Sequence, residues 1–241
     1  MTDPLRALLL IGAGLLLGGC SPGPPSSNEL VEIPGLGSTR LDVPRPTSSG
    51  PDCSVAIAEG QSIGQRVAAL REIGLFADRP DVSNEDVTQR VEARLDELYG
   101  GDALADDPLL ELVVASLDQS RVWWGDLEAD VGEVNQVYAQ TLQEWAAISK
   151  GSFEPEDVRE TWASESGPVS VSFTLDGEEV ELKPEYLEDW IDPRIITPIN
   201  ERIAGSGRQF ELFQAFDQSA FLMALTDDER DALEARGWCF E

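Results

Sequence analysis

At 241 residues and 41% hydrophobic content, with six Trp and eight Phe, the chain has enough apolar material for one medium domain with attachments. Asp and Glu number 46 against 17 Lys and Arg, a formal net charge of −29. That charge repels nucleic acids and anionic lipid surfaces and attracts a basic partner or divalent cations. The charge also fits a general adaptation to salt. Only Lys150 and Lys183 are lysines, and strong brine tolerates an acidic, lysine-poor shell because salt screens its self-repulsion.

In chain order, Met1 to Gly19 reads as a signal peptide: Arg6, then the apolar run ALLLIGAGLLL from Ala7 to Leu17. Eleven residues suit a secretory core and fall short of the roughly 20 needed to span a bilayer. The run ends in LGGC, Leu17 to Cys20, which resembles the lipobox of bacterial lipoproteins. The resemblance implies cleavage before Cys20, a thioether-linked diacylglycerol on its sulfur, and acylation, with palmitate for example, of the new amino group. Such chains anchor a protein firmly, since each buried methylene contributes about 0.8 kcal/mol. Ser21 to Asp52, with seven prolines and many Gly and Ser, cannot bury enough apolar surface to fold and reads as a flexible tether. Beyond it stand Cys53 and Cys239. In an exported chain they are expected to form a disulfide clipping the ends of the domain together.

The pattern from Ser62 is helical. Ile63, Val67, Leu70 and Ile73 share one stripe. Ser83 or Asn84 caps a second helix with Val87, Val91, Leu95 and Leu98 on its apolar face and Gly100 as its stop. Asp107 and Pro108 open a third, apolar nearly all round and so buried. A fourth carries Val134, Val137, Tyr138, Thr141, Leu142, Trp145 and Ile148 and ends at Gly151; a short one from Pro155 carries Val158 and Trp162. The period then changes to two. Val169, Val171, Phe173 and Leu175 alternate with Ser170, Ser172 and Thr174, and Asp176-Gly177 predicts a tight hairpin. Glu185 to Ala204 reads as an interrupted helix, QFELFQAF and SAFLMALT as a strand pair, and Thr226 to Glu229 as the capping box of a last helix. Trp238 to Phe240 reads as a final short strand. The expected fold is therefore α+β: a helical N-terminal half, then a small, mainly antiparallel sheet with packed helices. It forms one compact domain from Cys53 to Glu241.

Chemistry is restricted. Histidine is absent, which removes Ser-His-Asp and Cys-His catalysis and the usual transition-metal sites. With Cys20 lipidated and the other cysteines oxidised, carboxylates remain. The stretch RVWWGDLEADVG, Arg121 to Gly132, offers Trp123, Trp124, Asp126, Glu128 and Asp130 as candidate binding residues. The three alternate acids resemble the start of a calcium loop, yet Val131 and Val137 stand where such a loop needs glycine and a bidentate Glu. A turn and helix cap, with one Trp anchoring the core, explains the same letters, so no cofactor is expected and Ca²⁺ is the weak alternative. In PEYLEDWIDPR, Pro184 to Arg194, Trp190 with Asp189 and Asp192 suggests a sugar site, but a helix with aromatics inward and acids outward explains the same letters and is the expected reading.

The function expected from these readings is a lipid-anchored cell-envelope protein, facing the periplasm or exterior. Its non-catalytic domain would bind or assemble with an unknown protein or cell-surface partner. Two alternatives stand beside it: a carboxylate-dependent hydrolase of cell-wall or extracellular glycans, and an acidic inhibitor or immunity-type protein for a basic partner.

Overall fold

The computed structural model describes residues 60–78, 80–99, 110–214 and 218–240, all within the unit Cys53–Glu241. The signal peptide, Cys20, the tether, Cys53, the helix stop at Gly100 and the cap at Asp107-Pro108 lie outside the described residues. Helix α1, Ile63–Ile73, starts at a capping box: Gln65 N–H donates to the Ser62 hydroxyl (3.3 Å) and Ser62 N–H to the Gln65 side chain (2.8 Å). It stops at Gly74, whose φ of 111° lies in the left-handed region. Helix α2, Asn84–Tyr99, is capped by Ser83, which accepts from Asp86 N–H at 3.1 Å. Val87, Val91 and Leu95 are buried as expected. Helix α3, Leu110–Ser116, is buried over most of its length, Glu111 included.

Helix α4, Val137–Ile148, buries Tyr138, Thr141, Leu142, Trp145 and Ile148. Val134 is a correction: Gln136 adopts a left-handed φ of 52°, the helix begins only after it, and Val134 is left 89% exposed in the preceding loop. The hairpin β3, Val169–Leu175, and β4, Glu178–Leu182, is as the alternation predicts. Asp176 and Gly177 both have positive φ, as a type I′ turn requires. The expected helix from Pro155 is instead strand β2, Glu156–Trp162, paired with β3. Val158 and Trp162 are four apart, a spacing that suits a helix face and every second residue of a strand alike. The demand of β3 for a partner on this side decides between them.

Between Glu185 and Ala204 only Ile196–Ile203 is α-helical (α5), preceded by a 3-10 turn over Pro193–Ile195. The segment before Pro193 spends its backbone elsewhere: Ala129 N–H donates to Asp189 C=O and Ile191 N–H to Leu127 C=O, both at 2.8 Å. Strands β5, Gln209–Gln214, and β6, Ser219–Leu225, pair as expected, and α6, Asp227–Glu234, opens at the Thr226–Glu229 capping box. Trp238 to Phe240 forms no strand; Trp238 N–H closes back on Leu233 C=O at 3.1 Å and its ring lies on Phe240.

The domain is α+β, with six α-helices and two three-stranded antiparallel sheets among the described residues. Where one sheet was expected there are two, β1-β6-β5 and β2-β3-β4, because Val122–Asp126 forms a strand, β1, that pairs with β6. The first sheet lies between two cores, and every residue of β6 is buried. One face (Trp123, Phe210, Leu212, Ala220, Leu222) meets α4, α5 and the inner face of the second sheet. The other (Val122, Phe221, Met223, Leu225) meets α1, α2, α3, α6 and the C-terminal Trp238 and Phe240. Alternation along three strands thus serves two cores at once.

Candidate functional site

Because Trp123 and Trp124 are adjacent in β1, they point to opposite faces of the sheet. Trp123 is the core anchor: its ring meets Trp145 edge-on at 5.8 Å, and its indole N–H donates to Glu144 at 2.8 Å. The ring folds back over Gly125, where a Cβ would stand 2.2 Å from it, so only glycine fits. Trp124 is half-buried. It heads a chain of aromatic side chains across the sheet, against Phe221 (6.4 Å), with Phe213 on the next strand meeting Trp238 (5.7 Å).

The three acids of this stretch are exposed. Asp126 accepts from Glu128 N–H at 2.9 Å, and Asp130, with φ of 52°, takes the Asn135 amide on both its carbonyl and its carboxylate (2.7 and 3.0 Å). Among the described residues no three Asp, Glu, Cys or His side chains converge as a metal cage would require. Nor do these acids cap a helix, since α4 starts only at Val137. That role falls to Glu160 on β2, buried, which accepts from Ala139 N–H in the first turn of α4 (3.1 Å) and from the Trp162 indole (2.8 Å). Nothing local in the sequence points to Glu160.

The second acidic-aromatic stretch borders a hollow of about 340 Å³ lined by Leu182, Lys183, Glu185, Asp192, Arg194, Ile195 and Pro198. Asp192 accepts from Arg194 at Nε (2.7 Å) and Nη2 (3.0 Å) and from the N–H groups of Arg194 (3.1 Å) and Glu185 (2.8 Å). Arg194 also reaches Glu185 at 2.5 Å. Burial alone would raise the Asp192 pKa, but Arg194 and the two peptide N–H groups outweigh it and hold the carboxyl below its ordinary value. Asp192 N–H donates to the hydroxyl of the buried Tyr138 at 3.0 Å; burial pushes that phenol up to about 12 and the nearby Asp192 and Glu160 add to the effect, so it stays protonated. Trp190 and Asp189 do not line the hollow, so the sugar-site grouping of Trp190 with Asp189 and Asp192 is not assembled.

Two buried ion networks escaped sequence reading. Glu111 is gripped by Arg236 (2.8 and 2.5 Å), by the Trp238 indole (3.0 Å) and by Arg66 at 3.9 Å. Glu229 accepts from Arg121 (3.0 Å), Arg208 (2.6 Å) and Thr226 N–H (3.0 Å). Burial opposes its ionisation, yet these donors leave its pKa lowered. Both arginines also donate to Ala224 C=O, at 3.5 and 2.8 Å, where β6 runs past the end of β1 and the ladder has no further N–H to offer. The Thr226–Glu229 capping box was a signal for Glu229; the arginines had none. Cys239 is disulfide-bonded, while Cys53 lies outside the described residues. No family model, no curated protein and no solved structure matches the chain.

Proposed function

We propose that the chain is a lipid-anchored cell-envelope protein whose α+β domain binds or assembles with a partner and performs no catalysis. The LGGC box after an eleven-residue apolar run, followed by a Pro-rich tether, supports the anchor. For the domain, the carrying observation is the state of the acids at the hollow. Asp192 is held ionised, and Glu185 shares the same guanidinium. Glycan hydrolysis needs one carboxyl with a raised pKa to protonate the leaving oxygen, and Asp192 is shifted the other way.

The anchor is tested by growing cells with an alkyne-tagged palmitate. The full chain should take the label and sediment with membranes, and Cys20→Ala should do neither. Label retained by that variant would overturn the anchor. Incubation with peptidoglycan and soluble glycans should release no reducing ends; release that Asp192→Asn abolishes would install the hydrolase reading instead. Affinity capture from the envelope by the full chain should recover a partner, and recovery of none at low or high salt would count against a binding domain.

A further inference from the structure

Each of the two sheets has two edge strands, and an unguarded edge is a template for another chain. Three of the four are guarded. On β5, the Asn200 side-chain amide binds both the N–H and the C=O of Phe210 at 2.8 Å, standing in for a neighbouring strand. On β2, the register shifts between Glu156 and Arg159, where Asp157 turns left-handed with φ of 53°. Beside β4 lies α5, with Arg202 ion-paired to Glu178 (3.6 Å) and Pro198 sharing the hollow with Leu182.

The edge of β1 is different. Leu127 N–H continues the ladder to Gln218 C=O (2.6 Å), so Trp123 and Gly125 turn their peptide groups towards β6, while Leu127 C=O is taken by Ile191 N–H (2.8 Å). Val122, Trp124 and Asp126 therefore turn theirs outward. Val122 N–H is taken by Asp118 C=O (2.9 Å), but the outward peptide groups of Trp124 and Asp126 meet no partner among the described residues. The indole of Trp124 is half-open beside them, and the exposed Asp126, Glu128 and Asp130 follow along the chain.

We propose that the outer edge of β1, at Trp124 and Asp126, accepts an extended basic peptide segment of a partner protein as an added β-strand. The inference rests on the binding-domain reading and names the chemistry of its partner. Main-chain hydrogen bonds to Trp124 and Asp126 hold the segment, its apolar side chains lie on the Trp124 ring, and its cations meet the three acids. Charge selects the occupant: a second copy of this chain would set Asp126 and Glu128 against their own like, in a molecule of net charge −29.

The test uses the full chain and an eight-residue peptide whose every second residue is valine in one half and lysine in the other, with serine between, so that both kinds of side chain reach the face that Trp124 and Asp126 share. A twin of this peptide is N-methylated at two adjacent central residues, so that charge and side chains are kept while a hydrogen bond is lost on either edge. The first peptide should bind, and the twin about tenfold more weakly. Binding should slow hydrogen exchange at the Trp124 and Asp126 amides. The triple variant Asp126→Asn, Glu128→Gln, Asp130→Asn, all at exposed positions, should weaken the affinity, and salt should weaken it too. Equal affinity for both peptides, protection confined to other amides, or no binding of either would overturn strand addition. If the envelope partner is still captured, the binding-domain reading survives that result; if no partner is recovered either, both fall.

Discussion

Glu111 carries its charge inside the core, against Arg236, Trp238 and Arg66, which come from the C-terminus and from α1. Removing one partner of a buried pair strands the other, at a cost of about 3–5 kcal/mol. Glu111→Ala should therefore lower the unfolding free energy measured in urea by that much, a loss large enough to unfold a marginal domain. Glu211 on β5 is the opposite case. Burial raises its pKa, Glu234 and Asp227 add to the rise, and Arg230 only partly offsets them. A carboxyl whose folded pKa exceeds its unfolded value contributes stability below the unfolded pKa and loses it as pH rises through the folded one. At pH 7 the ionised form thus opposes folding, and Glu211→Gln should raise the urea midpoint there, with the gain vanishing under acid. Glu229 has the contrary sign. Its pKa lies below the ordinary 4.5, so its contribution is complete above that value and is lost as pH falls through the depressed one. Glu229→Gln should therefore destabilise at pH 7 and converge on the native protein in acid. The anchoring of one tryptophan of the Trp123-Trp124 pair was legible, because adjacent residues of an extended chain face opposite ways. Which one, and the need for glycine at 125, depended on where Trp145 stands.

Helix α4 shows how an element can borrow what its own sequence lacks. Its N-cap, Gln136, makes no side-chain cap, and Glu160 from β2 binds the first turn instead. Glu160→Ala should cost about 1–2 kcal/mol and speed hydrogen exchange first at Ala139; unchanged exchange there would remove the capping role. The β3–β4 hairpin is self-sufficient by contrast. A Cβ at Gly177 would meet nothing within 4 Å, so Gly177→Ala should cost about 1 kcal/mol through the backbone alone, its φ being 81°. Elements of this kind were readable: the Thr226–Glu229 capping box and the Asp176-Gly177 turn are both satisfied within a few residues. The elements misread were those with an ambiguous local signal and a distant partner. Strand β2 fits either period, the Trp123-Trp124 stretch pairs with a strand about a hundred residues later, and Asp189 to Ile191 spends its hydrogen bonds on Leu127 and Ala129.

Across the whole molecule, a net charge of −29 makes the folded state repel itself. Adding salt shortens the screening length from about 10 Å at 0.1 M to about 3 Å at 1 M. The melting temperature of the full chain should rise by roughly 5 °C over that range; a flat or falling curve would mean that the buried ion networks, not surface repulsion, respond to salt. The amino-acid sequence by itself determined the α+β class, most of the helices, both hairpins and the exclusion of histidine chemistry, because each depends on composition or on neighbours within a turn or two. Only the tertiary structure decided that β1 joins β6 between two cores, that Glu111 and Glu229 gather arginines, and that the outward peptide groups of Trp124 and Asp126 meet no partner among the described residues. Those features include contacts between residues 103 to 125 positions apart, as Arg121 to Ala224, Arg121 to Glu229 and Glu111 to Arg236 are. No local pattern records which distant side chain the folded core will bring to a buried charge, or which strand edge it will leave without a partner.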